Sequence, residues 1–186
     1  MNRKQMKQHN NIPQLRFPEF DGEWEDLVLS RVFSFFNGYA FKSSDSRKDG
    51  CRWVKIADVG INELNPDNSS YLPENYKDKY PKFLLKKGDY VVALTRPILG
   101  GKLKIAQISE EYNNSLLNQR VARIDSMQNI AFVYQLLQQR RLISKIENRI
   151  AGTDPPNLSQ NEINGIKVSI PTPPRTTKNR PIPHRR

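Results

Sequence analysis

The sequence predicts an α+β fold: a β-rich domain carrying one packed helix. Three observations predict it. Short apolar, β-branched segments separated by turn residues crowd the middle of the chain (WVKIADV, YVVAL, KLKIAQI, LLNQRVARI). One longer segment, residues 129–150, repeats its apolar residues at helical spacing. At 186 residues with 37% apolar and 26% charged content, the chain is long enough for one domain with a real core.

Taken in order, residues 1–16 are polar and basic and read as a disordered tail. In the stretch that follows, Trp24–Leu29 reads as a strand and Arg31–Phe36 as a helical turn, between Asp21-Gly22 and Asn37-Gly38 turns. Residues 39–52 form a polar loop, and 53–59 alternate as a strand. A short helix is expected ahead of Pro81. Tyr90–Leu94 reads as a buried strand, 95–101 as a turn, Lys102–Ile108 and Leu116–Ile124 as further strands. Over 129–150, Phe132, Leu136, Ile143, Ile146 and Ile150 form the apolar stripe, with Arg140, Arg141, Lys145 and Arg149 largely off it. Gly152 stops this helix. Ser159 and Glu162 then stand at the spacing of a capping box, and Ile166–Ile170 closes the domain as a strand.

The net charge is +11, but it belongs mostly to the ends: residues 1–16 contribute +4, residues 171–186 contribute +5, and 17–170 only +2. A nucleic-acid reading therefore requires that the domain gather its bases on one face. The single Cys51 cannot form an internal disulfide, and no apolar run reaches the length of a membrane span, so a cytoplasmic, non-membrane protein is expected. His9 and His184 both lie in polar tails, so no metal site and no histidine-based catalysis is expected.

Leu99-Gly100-Gly101-Lys102 is not a phosphate loop: Arg96 stands where the first glycine is required, and Leu103 replaces the Ser or Thr after the lysine. Asp154-Pro155-Pro156-Asn157 is similar to the Asp-Pro-Pro-aromatic motif of amino-methyltransferases. Asn157 cannot stack on a base, and no Gly-x-Gly follows a strand. A fragment of an adenine-N6 DNA methyltransferase using Asp154-Pro155-Pro156 remains the alternative; a proline-stiffened loop entering the Ser159 cap explains the same residues.

The order of several weaker motifs carries more. Pro-x-Leu-Arg-Phe-Pro-Glu-Phe, Trp24-Glu25, Phe36-Asn37-Gly38-Tyr39-Ala40-Phe41, Leu85-Lys86-Lys87-Gly88-Asp89, Leu117-Asn118-Gln119-Arg120-Val121, Gly152-Thr153, Asn157-Leu158-Ser159 and Ile170-Pro171 follow one another. Over residues 12–171 this order resembles the target-recognition domain of the DNA specificity subunits of type I restriction–modification systems. The resemblance implies a domain over 17–170 that reads double-stranded DNA, with no cofactor and no catalysis of its own. It also implies partner modification (methyltransferase) and restriction subunits, which the domain directs to a half-site.

For such a reader, Lys and Arg neutralise phosphates while a smaller set of side chains on loops reads base edges. The candidates are Lys42, Ser43, Ser44, Arg47, Lys48 and Arg52 of the 42–52 loop, and Thr95, Arg96, Lys102 and Lys104 of the 95–104 turn. A complete subunit of this kind continues into a long spacer helix. Residues 171–186 instead carry a Pro/Arg-rich tail, and self-association of two copies is expected to be weakened accordingly. Arg175 to Arg180 can be encoded so that a one-base shift reads Glu-Gln-Gln-Lys-Ile-Gly, the continuation the resemblance implies. The tail is therefore read either as out-of-frame translation or as a genuine basic tail that adds nonspecific DNA contact.

Overall fold

The structure is a computed structural model that describes residues 24–152 and 154–171. The expectations for 1–16 and for the 172–186 tail lie outside the described residues. The elements in chain order are β1 (Trp24–Val28), β2 (Phe33–Asn37), β3 (Cys51–Val54), β4 (Tyr71–Leu72), α1 (Tyr76–Lys79), β5 (Tyr90–Ala93), β6 (Ile98–Leu99), β7 (Lys102–Leu103), β8 (Ile105–Gln107), β9 (Leu116–Leu117), β10 (Val121–Ser126), α2 (Ile130–Leu137), α3 (Arg140–Ile150), α4 (Gln160–Ile163) and β11 (Lys167–Pro171). Strands dominate the first two thirds and helices the last, as an α+β chain requires.

A four-stranded antiparallel sheet, β2-β10-β5-β8, forms the centre. Three smaller units surround it: β4-β3-β9, the hairpin β6-β7, and the terminal ribbon β1-β11. Alternation along β5 sorts the core onto the two sheet faces. Tyr90, Val92 and Leu94 point into a cluster with α2, α3 and α4, while Val91 and Ala93 point into a second cluster with Leu85, Ile108, Tyr112 and Leu117. Phe36 joins that second cluster to a third, built on Phe41, Cys51, Trp53, Leu72, Phe83 and Leu116.

Several expectations need correction. Arg31–Phe36 is not a helical turn. A single 3₁₀ turn spans Leu29–Arg31, and Phe33–Asn37 pairs with β10 along five residues, because Phe33 and Phe35 face the helices while Phe36 faces the opposite cluster. The strand read at 53–59 runs only to Val54, where the Asp58 carboxylate accepts the Lys55 amide at 2.6 Å and closes a turn. The strand read at 102–108 is interrupted at Lys104, whose carbonyl accepts the Ala93 amide. The strand read at 116–124 is broken by Asn118-Gln119-Arg120, with the Arg120 amide donating to Oδ1 of Asn118 at 3.0 Å.

The single helix expected over 129–150 is two helices. Gln138 ends α2 and Gln139 is extended (ψ 124°) before α3. The buried residues explain the break. At 100° per residue, the arc of Val133, Leu136 and Leu137 and the arc of Leu142, Ile143, Ile146 and Ile150 would diverge by about 120° on one straight helix. Breaking the chain at Gln139 lets both arcs bury in the same cluster. Asn129 caps α2 by accepting from the Ala131 and Phe132 amides, and the Ser159–Glu162 capping box is present on α4.

Candidate nucleic-acid interface

Antiparallel pairing places the C-terminal ends of β2 and β5 and the N-terminal ends of β10 and β8 at the same end of the central sheet. Everything leaving that end forms one rim. Gly38-Tyr39 follows β2 and leads into the 42–52 loop; Gln119-Arg120 precedes β10; Thr95-Arg96 follows β5; and Lys104 precedes β8. Backbone bonds lace the rim together: Tyr39 N to Leu117 O (2.9 Å), Gln119 N to Tyr39 O (3.0 Å) and Leu94 N to Arg120 O (2.9 Å). Gly38 permits this approach, since a Cβ there would stand 2.2 Å from the Asn118 carbonyl oxygen.

The two candidate segments thus start from a shared rim, although their cores differ: Phe41 and Cys51 pack in the aromatic cluster, whereas Leu94, Leu103 and Ile105 pack on the helix side. Lys42 is exposed and immediately precedes a 3₁₀ turn, Ser43–Asp45. Ser43, Ser44 and Lys48 are exposed as well. Arg47 lies further out, bridged to Tyr71, and its guanidinium folds back onto the carbonyls of Ser44 (3.2 Å) and Ser46 (2.9 Å). Arg52 turns inward. It lies in β3 rather than in a loop, donates to Glu111 at 2.6 Å and the Tyr112 hydroxyl at 2.9 Å, and stacks 3.8 Å over the Tyr112 ring.

On the other side, the Thr95 hydroxyl donates to Oδ1 of Asn157 (2.8 Å) and the Arg96 amide to the Pro156 carbonyl (2.8 Å). Arg96 is exposed and left-handed, with φ 48°. Lys102 is exposed, whereas Lys104 is half-buried and its ammonium is lowered in pKa by that burial. Sequence reasoning missed Gln119 and Arg120, both exposed at the centre of the rim. Their signal was the polar triplet Asn118-Gln119-Arg120 inside an otherwise apolar run.

The Asp154–Asn157 loop is occupied by its own contacts. Its prolyl carbonyls, the atoms a methyltransferase would offer to a target amino group, accept from Nδ2 of Asn157 (Pro155, 2.9 Å) and from the Arg96 amide (Pro156). Among the described residues, no three His, Cys, Asp or Glu side chains stand together to hold a metal ion, and no helix is long and apolar enough to cross a membrane.

A rigid sheet that presents cationic and amide side chains from loops at one end has the build of a binding domain. The chain belongs to the type I restriction modification DNA specificity domain family, which it matches over residues 21–178. It is 33% identical over 167 residues to the type I restriction enzyme MjaVIII specificity subunit of Methanocaldococcus jannaschii, covering 88% of this chain and 39% of that protein. It is 32% identical over 127 residues to the EcoAI specificity subunit of Escherichia coli, covering 67% of this chain and 22% of that protein. The chain therefore spans less than half the length of these curated relatives. The crystal structure of a type I S subunit from M. genitalium shares the fold at a TM-score of 0.55 and 13% identity, over 86% of this chain and 37% of that one. A chain from a type I restriction–modification assembly shares it at 0.52 and 13%, over 86% and 36%.

Proposed function

We propose that this chain binds double-stranded DNA sequence-specifically, as a target-recognition half of a type I specificity subunit, and leaves the chemistry to partner modification and restriction subunits. The observation that carries this reading is the match to the DNA specificity domain across 21–178, which spans the whole described domain.

The rim supports it physically. Exposed Lys42, Arg96, Lys102 and Arg120 supply cations for phosphates, and exposed Ser43, Ser44 and Gln119 supply hydrogen-bonding groups for base edges. Lys48 and Arg47 extend the surface outward along the loop. Lys104 is half-buried at the rim, and Arg52 is given to the fold. Loops on a rigid scaffold suit recognition because they vary without disturbing the core.

The test is enrichment of a random duplex pool on the purified chain, followed by salt-titrated binding to the enriched sequence. Enrichment of a defined sequence, with affinity falling steeply as salt rises, supports the reading. A pool that stays flat, with no salt dependence, overturns it.

A further inference from the structure

Residues 90–107 form one long hairpin. Its inner half, β5 and β8, lies in the central sheet with Val92 opposite Ile105. Past Lys104, whose amide donates to the Pro97 carbonyl at 2.7 Å, the outer half continues as β6 and β7 beyond the rim. The outer half is a narrow ribbon ending in Gly100 and Gly101, both left-handed at φ 57° and 73°, as a tight two-residue hairpin turn requires.

Register divides the ribbon's side chains between its two faces. Ile98 pairs with Leu103, and this pair faces inward: Leu103 is buried and Ile98 packs against the helix-side cluster. The next pair, Leu99 with Lys102, faces outward, where Leu99 is 62% exposed beside the exposed lysine. The ribbon is held at its base by Thr95 on Asn157 and Arg96 on Pro156, and β7 packs against α3. Leu99 is thus largely solvated on the outer face of the ribbon, with the cation Lys102 as its cross-strand neighbour.

We propose that the 97–104 ribbon enters the DNA major groove, with Leu99 seated against a thymine methyl and Lys102 beside it on the base edges or phosphates. The proposal rests on the DNA-recognition reading above and assigns that reading a groove and a base. The major groove admits a two-stranded ribbon, and the thymine methyl is its apolar feature. Both the methyl and the Leu99 side chain leave water when they meet.

The test uses the full chain and its enriched duplex. Each thymine is replaced in turn by deoxyuridine, which removes only the methyl, and binding is measured for the wild type and for Leu99→Ala. Replacement at one thymine should weaken the wild type about fourfold, the equivalent of one buried methyl-sized group, and leave Leu99→Ala unchanged there. Leu99→Ala should bind the unmodified duplex correspondingly more weakly while unfolding at the wild-type temperature. If the pool yields a site but no thymine shows this coupling, the ribbon placement falls and DNA recognition stands. A flat pool removes both.

Discussion

The Thr95 hydroxyl and the Asn157 side-chain carbonyl meet at 2.8 Å across 62 residues of sequence, tying the 90–107 hairpin to the loop that enters α4. Asn157 also donates to the Pro155 carbonyl at 2.9 Å, so one side chain braces both the hairpin base and its own loop. Asn157→Ala should lower stability by about 1 to 2 kcal/mol, the net worth of these bonds, as read by denaturant unfolding. It should also weaken DNA binding by loosening the hairpin, whereas Asn157→Asp, which keeps the acceptor, should retain most of the bracing to Thr95.

Arginines of the two classes should separate in a salt titration. Arg120→Ala or Arg96→Ala should reduce the slope of log affinity against log salt by about 0.9 for each phosphate that is no longer neutralised, with little change in stability. Arg52→Ala should do the reverse: the slope stays as in the wild type, while stability falls by about 1 to 3 kcal/mol as the charge-assisted bonds to Glu111 and the Tyr112 hydroxyl and the stacking over its ring disappear. Glu111 is largely exposed, so the lower half of that range is expected.

Gly38→Ala should be among the more damaging small substitutions. Its Cβ would lie 2.2 to 2.4 Å from backbone atoms of Leu117 and Asn118, which cannot rotate away. Displacing that turn should cost about 1 to 3 kcal/mol. It should also move Tyr39, Gln119 and Arg120 together, so affinity should drop even in conditions where the variant remains folded; circular dichroism and binding on one sample check both.

Burial pushes the Cys51 thiol up from 9.0 to about 11, the largest effect in its surroundings, ahead of the opposing influence of Lys77. The thiol is therefore neutral at pH 8, and a disulfide reagent should modify it only as the protein unfolds. Because the folded value lies above the unfolded one, the associated stability is fully present below about pH 9 and is lost as pH rises toward 11. Comparing the alkaline stability profiles of the wild type and Cys51→Ala isolates this contribution: the variant's profile should be flatter over that interval.

What local pattern could convey, the sequence conveyed. The Ser159–Glu162 box, the stop at Gly152, the strand at Tyr90 and the turn at Gly100-Gly101 each depend on residues within a few positions of one another, and each is present. Boundaries set by distant partners were less legible. Phe33–Asn37 became a strand because β10 pairs with it, and the helix over 129–150 broke because two apolar arcs had to meet one core.

The sequence by itself determined the α+β class, the place of the first, buried and last strands at Trp24, Tyr90 and Ile170, the family resemblance and the loops bearing cations, because these follow from periodicity, turn residues and motif order along the chain. Only the tertiary structure decided that Arg52 turns inward onto Tyr112, that Gln119 and Arg120 stand between the two expected loops, and that Leu99 faces outward on a braced ribbon. Those outcomes depend on which strands pair and in which register. Pairing is a property of residues far apart in the chain, and a one-residue slip would reverse the face of every side chain involved.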